Sequence, residues 1–254
     1  MNTDHQQQIQ KAAQLIGSAK CAVALTGSGI SVESGIPPFR GAGGLWEKMD
    51  PMEVAHIDSF RRDPARVWEL LIRDLKECLD RARPNPAHLA LARLEAMGIL
   101  KGVITQNVDG LHQAAGNRDV IEFHGTFAWQ RCMDCQRRLE THRVELDQIP
   151  PRCECGGILR PDCVFFGEMI PPEHLHRSRQ LSERCDVMLV VGTSAVVQPA
   201  AFMPVIAKQC GATVIEINPE STPLTANISD LLVKGPAGQV FTDIMAAMAD
   251  YTVR

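Results

Sequence analysis

No apolar run in the 254-residue chain approaches the length of a bilayer span, so no membrane helix is expected. The first residues, MNTDHQQQIQKAAQLIG, are polar and amphipathic and lack the apolar stretch of a secretion signal, so the expected location is cytoplasmic. The net charge is −4, too small to draw the chain generally to nucleic acid or to a membrane surface, although a local charged groove remains compatible with it. Internal repeats and low-complexity segments are lacking. So is an even cysteine count: nine cysteines without a secretion signal argue for reduced thiols rather than a disulfide framework. Tyrosine occurs once, as Tyr251.

What remains is an ordinary globular mixture, 45% hydrophobic and 22% charged, long enough for one large domain or one domain with a smaller satellite. Ile9, Ala12, Ala13 and Ile16 share one face of a helix predicted over 4–19. Apolar strands are predicted at 21–25, 102–106 and 119–125, then within 186–194, 212–220 and 230–235. Helices are predicted at 63–82, with Asp63 as cap and Pro64 at the first position, at 86–98, and near 237–250. Strands alternating with helices imply an α/β fold, a Rossmann-like, mostly parallel sheet with helices on both faces. Several strands end in small or polar residues: LTGSG, ITQN, VVGTS and IEINPE. Ligands of open α/β sheets bind at such carboxyl ends, so four strand ends are expected to line one crevice.

The segment TGSGISVESGIPPFRG, Thr26–Gly41, follows the first of these strands. Gly27-Ser28-Gly29 suits a dinucleotide turn, where backbone amides approach a pyrophosphate and a following helix N-terminus favours negative charge. The usual third glycine is absent, because position 32 is Val, and the pair alone fits a plain turn equally well. Phe39 and Arg40, on a proline-stiffened loop, exceed what a turn needs and suit a loop that closes over a charged ligand.

Residues 128–160 are basic, polar and poor in apolar runs, and read as a separate module. Cys132-x-x-Cys135 and Cys153-x-Cys155 form two close pairs that can wrap a tetrahedral Zn²⁺. Four protein ligands make a closed site, so the metal is expected to be structural.

TGSGISVESGIPPFRG, TQNVDGLH (105–112), FHG (123–125), the four cysteines, FFGE (165–168), GTSAVVQPA (192–200) and INPE (217–220) together resemble the sirtuin family of NAD-dependent protein deacylases, in order and in spacing, over about residues 10–245. The division that goes with this reading is a Rossmann-like domain of 1–40, 88–125 and 161–254. A helical insertion with the cofactor loop occupies 41–87, and a zinc-binding module 126–160.

From residue chemistry alone His124 is either a structural histidine at a strand end or a general base, since neutral imidazole suits that task near pH 7. The resemblance implies that it is the catalytic base. It also implies that Asn107 and Asp109 face the nicotinamide side of NAD and that Gln106 contacts the adjacent ribose, although Asp109 read alone also suits a helix cap. Gly27, Ser28, Gly29, Phe39 and Arg40 are assigned to the phosphates and reacting ribose. Gly192, Thr193, Ser194, Asn218, Pro219, Glu220 and Ala237 are assigned to the adenosine half.

By the same resemblance Val164, Phe166 and Gly167 lie on a strand that pairs with an extended acyl-lysine peptide, and Val196 faces the peptide from the other side. Val164 and Phe166 also fit ordinary core positions. The implied reaction moves the acyl group to ADP-ribose. Nicotinamide leaves, the acyl oxygen takes its place, His124 deprotonates a ribose hydroxyl, and water completes release of lysine and an O-acyl-ADP-ribose. A mono-ADP-ribosyltransferase and a non-enzymatic NAD or ADP-ribose sensor are the alternatives on the same scaffold.

Three departures from the family pattern matter. Ser28 stands where Ala is usual, and Pro38 stands where many members carry Asp. Members that remove succinyl or malonyl groups carry Tyr-x-x-Arg, whereas the aligned positions here are Leu71 and Asp74. An apolar residue and an anion predict preference for acetyl or longer apolar acyl groups.

Overall fold

A computed structural model describes residues 3–39 and 43–252. In chain order the elements are α1 (Thr3–Ser18), β1 (Ala22–Thr26), α2 (Pro51–Val54), α3 (Ile57–Arg62), α4 (Pro64–Val67), α5 (Arg73–Arg81), α6 (Pro86–Ala96), β2 (Leu100–Thr105), α7 (Leu111–Ala115), β3 (Val120–Glu122), β4 (Gly125–Cys132), β5 (Arg138–Glu140), β6 (Leu159–Cys163), α8 (Pro172–Arg184), β7 (Val187–Val191), α9 (Phe202–Gln209), β8 (Thr213–Asn218), β9 (Leu231–Lys234) and α10 (Ala237–Thr252). Among the described residues no helix is long and apolar enough to cross a membrane.

Six strands form one sheet in the order β3-β2-β1-β7-β8-β9, and every pair is parallel. The apolar runs dictate this, because a parallel sheet is covered on both faces and its strands need no polar alternation. All five residues of β1 and all five of β7 are buried. One face packs Ile9, Leu91, Leu94 and Phe241 against Leu189 and Ile215, which places α1, α6 and α10 on that side. The other packs Met203 and Ala207 of α9 and Leu181 of α8 against Leu25, Met188 and Val190. The chain leaves β1 toward β2 and β3 on one side and later returns to β7, β8 and β9 on the other. The strand order therefore reverses between β1 and β7, where a crevice opens at the carboxyl ends.

Local rules hold at the predicted helices. Asp63 caps α4 by accepting from the Arg66 N–H at 3.1 Å, and Asn85 caps α6 in a box with His88. The stretch predicted as one helix over 63–82 is interrupted by a π-helical segment at Trp68–Ile72. The predicted strand over 119–125 is two strands: β3 ends at Glu122, and β4 starts at Gly125 in a different sheet. That second sheet is antiparallel, ordered β5-β4-β6, and carries the four clustered cysteines at its end. The segment after the Gly27-Ser28-Gly29 turn is a 3₁₀ helix, Ser28–Ser34, rather than an α-helix. Helices α8 and α9 have no counterpart in the sequence reading. The fully buried residues of α8 are Ser178 and Ser182, with Leu181 half-buried beside them, so its inner face shows little apolar period.

Candidate active site at the sheet's switch point

The crevice is a cavity of 1080 Å³ that continues from the strand ends into the helical insertion. Of the residues assigned to the cofactor, Gly27, Ser28, Gly29, Phe39, Gln106, Asn107, Gly192, Thr193, Ser194, Asn218, Pro219, Glu220 and Ala237 line it. Arg40 lies outside the described residues.

The glycines answer first to packing between two loops. A Cβ on Gly29 would stand 2.7 Å from the Gly192 Cα, and one on Gly27 would stand 2.7 Å from the Thr193 Cβ. The loops after β1 and β7 are also joined by the Gly29 N–H donating to the Gly192 carbonyl at 2.8 Å. Close backbone contact across the switch point therefore requires glycine before any ligand is considered. Ser28 uses the hydroxyl that sets it apart from Ala: it accepts from the Phe39 N–H at 3.3 Å. Phe39 stacks on Trp46, with ring centroids 5.3 Å apart.

Around β2, Gln106 Nε2 donates to Thr193 Oγ1 at 2.9 Å, which fixes both strand ends. Asn107 is buried, and its Nδ2 donates to the Gly27 carbonyl and to Ser31 Oγ at 3.1 and 3.2 Å. Its amide oxygen is left as the group that can accept from a ligand. Asp109 does not line the cavity. Its carboxylate caps α7 through the Leu111 N–H at 2.9 Å and accepts from Ser31 Oγ at 2.7 Å. Burial raises its pKa, and these two bonds oppose the rise. It therefore reaches the cavity through Ser31 and Asn107.

His124 sits in the two-residue gap between β3 and β4, where the chain passes from one sheet to the other. Its Nδ1 lies 3.1 Å from the Gln106 carbonyl, and its own carbonyl accepts from the Val164 N–H at 2.8 Å. A carbonyl only accepts, so Nδ1 carries the proton and Nε2 keeps a lone pair. Desolvation lowers the His124 pKa, against a smaller upward pull from the Gln106 bond. The ring is thus neutral at pH 7, with its basic nitrogen available.

Beyond His124 the wall becomes apolar: Ala55, Leu71, Ile72, Leu75, Val108, Phe127, Cys163 and Phe165. Burial pushes the Cys163 thiol up to about 12, so it is neutral there. Asp74 is not in this wall; its side chain is 75% exposed and pairs with Arg73. Leu75, four residues after Leu71, shares the cavity face with it, as i and i+4 do on a helix, and Asp74 lies off that face. Among the described lining residues there is no arginine, lysine or tyrosine.

The expected strand at 164–168 is a single bridge, His56↔Phe166. The Phe166 N–H donates to the Ala55 carbonyl at 2.9 Å, and its carbonyl accepts from the Ile57 N–H at 3.0 Å. Both of its backbone groups are therefore committed internally. Val164, Phe166 and Gly167 line the cavity; Val196 is 48% exposed beside it, and its neighbour Val197 lines it. Sequence reasoning missed Trp46, Ile72, Leu75, Phe127 and Glu33. The first four carry only an apolar signal, indistinguishable from core. Glu33 accepts from the Gly238 N–H at 2.5 Å, a contact no local pattern announces.

The four Sγ atoms of Cys132, Cys135, Cys153 and Cys155 all lie within 4.8 Å of one another. Cys132 to Cys155 is 3.5 Å and Cys135 to Cys153 is 3.8 Å. Tetrahedral Zn²⁺ with bonds of about 2.3 Å requires sulfur separations of about 3.8 Å, so the set fits the ion. A Cβ on Gly157 would stand 2.6 Å from Cys132 Sγ, so that knuckle needs glycine to close.

The Sir2 family matches residues 27–199. The chain is 50% identical over 229 residues to NAD-dependent protein deacylase 2 of Pyrobaculum aerophilum, covering 90% of this chain and 91% of that protein. It superposes on a mutant Sir2 homologue in complex with ADP-ribose at a TM-score of 0.91 and 45% identity, over 96% of this chain and 97% of the other. It also superposes on Sir2Af2 bound to a myristoylated histone peptide, at a TM-score of 0.83 and 38% identity, over 97% and 98%.

Proposed function

The chain belongs to the Sir2 family and is an NAD-dependent protein deacylase, and from that premise we propose that His124 is its general base and that it prefers apolar acyl groups on lysine. The observation that carries the first part is the pair of bonds at His124. One ties its ring to the Gln106 carbonyl at the cofactor strand end, and the other ties its backbone to Val164 on the peptide-facing segment. The imidazole therefore stands between the two substrates with Nε2 unprotonated. NAD, when bound at these strand ends, would supply the ribosyl carbon that receives the acyl oxygen and the nicotinamide that leaves. His124 takes the proton of a ribose hydroxyl at Nε2 and holds it next to the Nδ1–H that Gln106 stabilises. Asn107 offers its amide oxygen to the carboxamide, and Asp109 fixes Ser31 and Asn107 from behind. Phe39, braced on Trp46 and Ser28, shields the reacting end from water.

Cys132, Cys135, Cys153 and Cys155 would hold the zinc ion, which supplies cross-linking and no chemistry. Nine cysteines, none in a disulfide among the described residues and four of them suited to zinc, support a reducing, cytoplasmic location. The acyl-lysine peptide lies along Val164 and Gly167 with Val196 opposite. Because Phe166 is already paired, its neighbours receive the peptide backbone.

The acyl preference rests on the apolar wall. A succinyl carboxylate there would be desolvated with no cation to meet it, whereas an acetyl group or an alkyl chain loses nothing polar. The myristoylated peptide bound by Sir2Af2 fits the same reading. The test is a panel of matched peptides carrying acetyl-, myristoyl- and succinyl-lysine, assayed with NAD. Nicotinamide release should match deacylation, with acetyl exceeding succinyl in kcat/KM by about tenfold or more. Faster succinyl turnover would refute the acyl preference. ADP-ribose appearing on protein without acyl loss would point instead to a transferase.

A further inference from the structure

Arg160, on β6, is 7% exposed. It donates from Nη1 to Glu168 Oε1 and from Nη2 to Glu168 Oε2, both at 2.8 Å. The same Nη2 donates to the Cys163 carbonyl at 2.7 Å. Glu168 Oε2 also accepts from the Phe165 N–H at 2.9 Å, and the guanidinium carbon lies 4.7 Å from the Phe165 ring centroid. One guanidinium and one carboxylate thus fix the start, the middle and the end of segment 163–168. The β4–β6 ladder reaches only its first residue, Cys163, and beyond it the segment has a single bridge.

Arg160 is itself placed by the cysteine module. It pairs with Arg131 in the β4–β6 register, and Leu159 pairs with Cys132. Leu159 is buried against Cys132 and Cys153. From the metal ligands to the peptide-facing segment the path is therefore one strand residue and one ion pair. A buried ion pair is a poor device for stability alone, since apolar residues of similar volume often serve equally well. What a two-point fork adds is direction.

We propose that Arg160 and Glu168 are a positioning pair that holds segment 163–168 in its peptide-receiving shape and thereby makes the zinc module part of substrate binding. This rests on the reading that the segment receives the acyl-lysine peptide. Neither residue moves a proton or touches the reacting carbon. The pair acts on peptide affinity and leaves the cofactor end of the cavity alone.

The test uses the full, zinc-loaded chain and three variants: Glu168→Gln, Arg160→Lys and the apolar pair Arg160→Met/Glu168→Leu. An acetyl-lysine peptide is titrated by fluorescence anisotropy in the presence of ADP-ribose, and ADP-ribose alone by calorimetry. Zinc content and melting temperature are measured alongside. Each variant should bind peptide about tenfold more weakly, the effect of losing one charge-assisted bond. ADP-ribose affinity and zinc content should hold, and peptide KM should rise far more than kcat falls. The apolar pair should melt at or above the parent temperature and still bind peptide weakly. Unchanged peptide affinity in the apolar pair would overturn the proposal, as would parallel loss of both affinities in all three variants. Hydrogen exchange on the parent chain separates the two layers. If peptide does not slow exchange at 164–168, the peptide-site reading fails and the proposal with it. If it does, and Glu168→Gln still binds normally, the pair alone is wrong.

Discussion

The two sheets of this molecule are held together by different physics. In the six-stranded sheet β7 reads VMLVV and is buried throughout, between helical faces that bring Leu91 and Phe241 to one side and Met203 and Ala207 to the other. In the three-stranded sheet the buried cluster at the cysteine end holds Cys132, Cys153 and Leu159, flanked by Leu139 and Val144, while Phe127 of β4 packs with Phe60, Trp68 and Phe165. Around it are ion pairs: Asp162 takes Arg131 Nε at 2.7 Å and Arg138 Nε at 2.6 Å. The first sheet is covered by apolar helices on both faces; at the outer end of the second, the two cysteine knuckles take the place of a core. Each sheet supplies one half of the site. The parallel sheet presents the strand ends proposed to hold the cofactor, and the antiparallel one anchors the segment proposed to receive the peptide. His124 lies where the chain crosses from one to the other.

Metal removal is the sharpest way to break that contrast. Structural zinc contributes on the order of 10 kcal/mol to domains of this kind. Chelation should therefore unfold β4, β5 and β6 while the six-stranded sheet keeps its protected amides in hydrogen exchange. ADP-ribose affinity should survive better than peptide affinity. Equal loss of protection in both sheets would show that they share one cooperative core. A cavity in the first sheet's core comes next: Phe241→Ala, at a fully buried position, should cost about 3–5 kcal/mol in denaturant unfolding without releasing zinc.

Acid probes a pair of buried histidines on the helices that flank the large sheet. His88 and His112 are buried with ring centroids 5.0 Å apart, and burial lowers their pKa values to about 4 and about 3. An unfolded chain takes up those protons near pH 6.5, while the folded one refuses them until far lower pH. Stability is therefore full above pH 6.5 and falls steadily as the pH drops toward 4, by about 3 kcal/mol for His88. A His88→Asn variant should show a shallower loss over that range. An identical slope would mean that other groups set the acid limit.

The same contrast explains what could be read in advance. β1, β7 and β8 are long apolar runs ending in glycine or polar residues, so their identity and their shared crevice were legible. The cysteine spacing made the metal site legible as well. The conformation of 163–168 was not, because Phe166 is satisfied by Ala55 and Ile57 and Glu168 by Arg160, none of which is a near neighbour in a regular pattern. The outward turn of Asp74 was not legible either, because Leu75 rather than Asp74 shares the face of Leu71. Helix α8 hid because its fully buried positions are serines, with only Leu181 half-buried beside them.

The account turns on which nitrogen of His124 carries the proton. Nitrogen-15 NMR of the histidines, assigned by loss of one signal in His124→Asn and followed as a function of pH, reads this directly. The account predicts a neutral ring protonated at Nδ1, with a pKa below the ordinary value of about 6.5. A ring protonated at Nε2 at neutral pH, or charged above pH 7, would contradict it.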